Sequence, residues 1–140
     1  MARKAAESET AVKPKAEPSL ATRIGFCVAA WTVPGLGHLL LGRRWRALIL
    51  FCSILAMFFL GLAMEGEFFS RQSDSYLQIL GYFGELCVGL AMPAATYFEY
   101  PGGNPFFVSS DYGTAFLVTA GMLNLLSILD VYDIALGRKP

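Results

Sequence analysis

The chain has 140 residues, 55% hydrophobic and 16% charged, with 11 basic against 11 acidic side chains. That balance excludes a protein built to neutralise nucleic-acid phosphates, so no nucleic-acid partner is expected. The charges stand in clusters between long apolar runs, whereas a soluble helical protein spreads charge along the outer face of every helix. The composition therefore describes an all-α, polytopic helical membrane protein without a second globular domain.

Residues 1–22 mix Lys, Glu, Ala and Pro without apolar periodicity and read as a disordered charged tail. No small-x-small cleavage site follows the apolar residues that begin at Ile24, so the tail is expected to be retained. Residues 23–140 then form a single helical membrane domain with four hydrophobic segments, at about 24–42, 47–64, 77–98 and 112–129. The first would reach about 28 Å if straight, just enough for a core of about 30 Å. Pro34, Gly35 and Gly37 make a straight helix expensive, at about 3 kcal/mol for Pro and about 1 for each Gly. A re-entrant or sharply kinked hairpin is expected there, with its non-helical backbone covered by protein.

Segment 47–64 is free of charge and is the strongest span. After a polar loop at 65–75, segment 77–98 reads as the next span. In it Gly81, Glu85, Gly89, Pro93 and Tyr97 recur every four residues and share one helical face. Small residues on such a face let a neighbouring helix approach closely. A turn-rich loop follows at 99–111, with Ser109, Ser110 or Asp111 available as an N-cap. The last run ends at Asp130 and Asp133, an acidic helix end near water, with Gly137 placed to close the helix as its C′ residue.

Pro34, Gly35, Gly37, His38 and Gly42, followed by Arg43, Arg44, Trp45 and Arg46, form a membrane-surface motif: apolar, broken, then basic and aromatic. Attraction of about 1 kcal/mol per basic residue to an anionic leaflet accounts for the arginines. Counting Lys and Arg does not orient the chain. Four crossings, or three with a re-entrant first segment, both leave eight basic residues inside and three outside. Charges next to a strong span count most, which favours a cytoplasmic 43–46 segment and an outward 71–74 loop.

The block Pro34-Gly35-Leu36-Gly37-His38-Leu39-Leu40-Leu41-Gly42-Arg43 resembles the G-x-x-G-x-H-x-F/Y-L-G-R core of the two-transmembrane-helix (TM-two) domain family. The run Leu126-Ser127-Ile128-Leu129-Asp130 resembles that family's apolar segment ending in Asp. Leu39 and Leu40 stand where the family has basic and aromatic residues, and two extra hydrophobic segments separate the blocks. The whole pattern is similar to small bacterial membrane proteins of an uncharacterised family. The resemblance implies a membrane module without an established reaction.

Each polar residue in the apolar runs has a functional and a structural reading. Glu85 would mark an ion or proton path, or fasten two helices by hydrogen bonding. Asn124 is accounted for by interhelical hydrogen bonding at about 0.6 kcal/mol. His38 is the single histidine and has no Cys or carboxylate at ligand spacing, so it is expected to bond a backbone carbonyl freed at the Pro34 break. Cys27, Cys52 and Cys87 fall one per apolar segment and read as packing residues. No catalytic constellation, metal site or cofactor site is expected. The leading expectation is a non-enzymatic interaction or scaffold protein in the lipid bilayer, binding partner membrane helices or a second copy of itself. The alternative is a small transport or channel component using Glu85, Asn124 and Asp130.

Overall fold

The computed structural model describes residues 19–69, 75–98, 100, 103 and 108–138, and all regular structure among them is helical. The helices are α1 (Leu20–Thr32), α2 (Leu36–Leu40), α3 (Arg44–Ala63), α4 (Tyr76–Leu86), α5 (Ala91–Tyr97) and α6 (Val108–Ala135). Two of them, α3 and α6, are each long and apolar enough to cross a membrane. They lie antiparallel, with Arg46 at the start of α3 close to Asp130 near the end of α6. Further along, Gly61 lies where an added Cβ would press on the Leu117 side chain and the Gly113 carbonyl. Ile54, Phe58, Leu117 and Ala120 from these two helices join Val88 and Ala95 in the buried core.

The break expected at Pro34 is present, and the chain folds back there. Helix α1 is capped by Ser19, whose Oγ accepts from the Thr22 N–H at 3.3 Å, so it begins within the stretch assigned to the tail. Residues 1–18 of that tail lie outside the described residues. Val33 is extended, as the residue before a proline prefers, and Gly35 takes φ +79°, which reverses the chain. Helix α2 then runs back along α1: a Cβ on Gly37 would lie 2.8 Å from the Ala30 Cβ and 3.0 Å from the Phe26 carbonyl. It closes on Gly42, with the Arg43 N–H donating to the His38 carbonyl at 2.8 Å. Arg43 thus emerges at the end of the bundle where α1 began.

The second hairpin corrects the expectation of one span over 77–98. Helices α4 and α5 are bent by 101° at residues 87–90. Gly81 in α4 packs on the Phe69 ring. Beyond α5, the Tyr100 hydroxyl donates to the Leu62 carbonyl at 2.8 Å, and Gly103 lies against the backbone of Glu65 and Glu67. The chain therefore enters and leaves at the end of α3 marked by Leu62 to Glu67. Pro93 is not the break; it sits in the first turn of α5, where its missing N–H removes no helical hydrogen bond.

The fold repeats one unit twice in opposite directions: a bent helix pair, then a long apolar helix; two helices are long enough to cross a membrane, or three spans if the bent α4–α5 pair is one. All five basic residues among the described ones, Arg23, Arg43, Arg44, Arg46 and Arg138, lie at the end where α3 starts and α6 finishes. Glu65, Glu67 and Asp111 lie at the other end.

Helix α6 is longer at both ends than its apolar run. Ser109 and Ser110 lie inside its first turn, so neither serves as a cap. Their hydroxyls donate instead to the carbonyls of Met64 (3.3 Å) and Glu65 (2.7 Å), tying α6 to the end of α3. At the far end Gly137, with φ +71°, closes the helix as the Arg138 N–H donates to the Asp133 carbonyl at 3.1 Å.

Candidate functional site

The two hairpins meet tip to tip against α6. The Trp31 Nε1–H donates to the Leu86 carbonyl at 3.1 Å and the Leu90 N–H to the Thr32 carbonyl at 3.4 Å. From α6, the Asn124 amide donates to the Cys87 carbonyl at 2.8 Å. The N–H groups of Cys87, Val88 and Gly89 donate to carbonyls of Phe83 to Leu86 in the last turn of α4. Irregular backbone at membrane depth is tolerated only where such partners exist, and here the opposing hairpin and α6 supply them. The junction lies about 9 Å along α6 from Asp130 and about 21 Å from Ser110.

The glycine face of α4 is spent within the fold. Gly81 faces Phe69, Gly84 packs on the Val118 side chain, and Gly89 lies against the Trp31 carbonyl. Gly121 of α6 lets the Gly84 carbonyl come equally close. Beside this packing a crevice of about 480 Å³ opens to the outside of the bundle, lined by Trp31, Tyr82, Gly89, Pro93, Thr96 and Tyr97 among others.

Glu85, 1% exposed, points toward the acidic end, where its Oε2 accepts from the Phe69 N–H at 3.0 Å. Among the described residues its Oε1 has no partner, nor have Asn124 Oδ1, Ser127 Oγ and His38 Nδ1, all buried. Above it, burial and the Glu65 carboxylate push the Tyr100 phenol above its ordinary pKa.

At the basic end the structure pairs residues 92 positions apart: His38 Nε2 and Asp130 Oδ2 are 3.0 Å from each other. Arg46 adds a second, looser contact to the same oxygen at 3.9 Å. The partner of His38 is thus a carboxylate and not a freed carbonyl; local spacing could not reveal a residue on another helix. Asp133 faces Arg138 at 4.0 Å and does not share the His38 contact. Gly42, Arg43, Arg44, Trp45 and Arg46 form a shallow basic cup beside this pair. Among the described residues no three His, Cys, Asp or Glu side chains come together as a metal site.

Sequence reasoning missed Trp31 and Phe69. The signal available for Trp31 was an indole next to a Pro-Gly break, since a buried-side indole N–H seeks an acceptor. No curated protein and no solved structure matches the chain. Residues 25–140 match the model described as "Family of unknown function (DUF6677)", and the chain belongs to that family.

Proposed function

We propose that this is a non-enzymatic protein of the bacterial inner membrane that works by intramembrane association, its docking face being the crevice at the hairpin junction. The observation that carries the reading is this opening of about 480 Å³ over the turn at residues 87–90. The glycines of α4 and of the turn after it are already occupied by Phe69, Val118 and Trp31, which leaves no room there for a partner helix. No described residue fills the crevice, and its aromatic walls and the exposed Thr96 suit the side chains of a second copy of the chain. The basic end is taken as cytoplasmic, because with two crossings every described Lys or Arg gathers there and the earlier tie disappears. The contact between His38 and Asp130 joins the two blocks that resemble the TM-two family.

Single cysteines in a cysteine-free background test both points. Thr96→Cys should give an oxidative dimer in native membranes, while Ile49→Cys, exposed on α3, should not. Equal cross-linking from the two positions, or none, would remove the docking face. In the same series Ser73→Cys should react with an impermeant maleimide on spheroplasts and Trp45→Cys only after permeabilisation.

A second reading, translocation of protons or a small polar solute, is favoured by the unpartnered Glu85 Oε1, Asn124 Oδ1 and Ser127 Oγ. Buried polar atoms of this kind are what ordered water or a passing ion would satisfy. Paired inverted hairpins are also a device of transporters. On that reading the protein in proteoliposomes carries a pH-dependent flux that Glu85→Gln abolishes; no flux from the wild type would discard it.

A further inference from the structure

We infer that the groove between α2 and α3 is a binding site for an anionic phospholipid, one acyl chain lying in the groove and the phosphate on the arginines at its mouth. The groove measures about 430 Å³ and is lined by Val33, Gly35, Leu36, Leu39, Leu48 and Phe51 among others. It owes its shape to the first hairpin. The Pro34 break turns α2 back toward the surface, and Gly35 approaches so closely that an added Cβ would lie 2.5 Å from the Ala47 carbonyl. What is left between the short α2 and the longer α3 is a slot with half-exposed walls: Leu39 is 49% and Leu48 53% exposed.

The groove and the basic cup share one residue. Arg44 lines both, with Arg43 and Arg46 beside it in the cup. From the surface inward the order is three cations, then an apolar slot that follows α3 for about 10 Å from Arg44 to Phe51. An anionic lipid has the same order, phosphate first and hydrocarbon below. A helix from a partner protein would need carboxylates at one fixed turn to match it. Arg46 also touches Asp130, which holds one wall of the cup against α6 and, through His38, steadies α2. The groove shares no lining residue with the crevice at the hairpin junction.

The test uses the full-length protein in nanodiscs with a photoreactive phosphatidylglycerol or a phosphatidylcholine of the same chains, followed by mapping of labelled peptides. Phosphatidylglycerol should label peptides containing residues 33–39 and 47–51 in clear excess. Arg44→Gln should lower that label about fivefold, the factor for about 1 kcal/mol per basic residue, and Arg44→Lys should restore most of it. Leu48→Trp fills the slot and keeps every arginine, so it should remove the label, while Ile49→Trp, on the same turn and 62% exposed, should not. Equal labelling by the two lipids would overturn the site. So would label spread evenly around α3 and unchanged by Leu48→Trp, which is generic attraction to an anionic leaflet. Cross-links from the groove to a second protein chain would overturn it as well. Unchanged helical content and elution volume of the Trp variants separate these outcomes from misfolding.

Discussion

The two hairpins solve the same problem by different means. The first turns on its own sequence: Val33 is extended because Pro34 follows, and Gly35 reverses the chain at φ +79°. The second carries its proline inside α5 and turns before it, at 87–90. Its turn uses Gly89 at φ +80° and is held in addition by Trp31, Thr32 and Asn124 from outside. A break encoded by proline is visible in one segment alone; the partners that hold the second break come from elements distant in sequence and are not.

The largest effect should come from the place where one hairpin rests on the other. Gly89 has φ +80°, and a Cβ there would collide with the Trp31 carbonyl. Gly42 has nearly the same φ, +79°, but nothing within 4 Å of its added Cβ. Strained φ alone costs about 1–2 kcal/mol, and forcing bulk into a packed site adds about 1–3. Gly89→Ala should therefore cost about 2–5 kcal/mol and Gly42→Ala about 1–2. Reversible unfolding in mixed micelles measures both. Equal losses would mean that the hairpin tips do not touch.

This difference also explains how much of the molecule could be read in advance. Helix α3 was legible almost to its ends because an uncharged run of membrane length has few alternatives. Helix α6 was legible in its middle only. Its termini are kept helical by partners on other elements, through the bonds of Ser109 and Ser110 to the end of α3 and of Asp130 to His38. The four-residue recurrence of Gly81, Glu85 and Gly89 placed the first two on one helix, but Gly89 belongs to the turn, where its positive φ and not its small size on a helical face is what the fold requires. The surface motif at 34–46 was legible as a motif; its partner Asp130 was named, though as a separate helix end, since nothing local links positions 92 residues apart.

A smaller effect sharpens the comparison on α6 itself. Asn124 and Ser127 are neighbours on its buried face, yet only Asn124 has a visible task, its amide holding the Cys87 carbonyl at 2.8 Å. Ser127 Oγ is buried without a partner among the described residues. Removing a donor from a buried carbonyl destabilises, and interhelical hydrogen bonds in membranes average about 0.6 kcal/mol with a ceiling of about 1.7. Asn124→Leu should thus cost about 1 kcal/mol and act on the second hairpin, seen as faster proteolysis or thiol labelling of Cys87. Ser127→Ala removes a hydroxyl that makes no bond, so its cost should stay within about 0.5 kcal/mol of zero or turn favourable. The opposite ranking, with Ser127→Ala the more damaging, would mean that the hydroxyl is satisfied by water inside the bundle. Glu85 Oε1 and Asn124 Oδ1 would then be candidates for the same water, and translocation would displace association as the better reading of this fold.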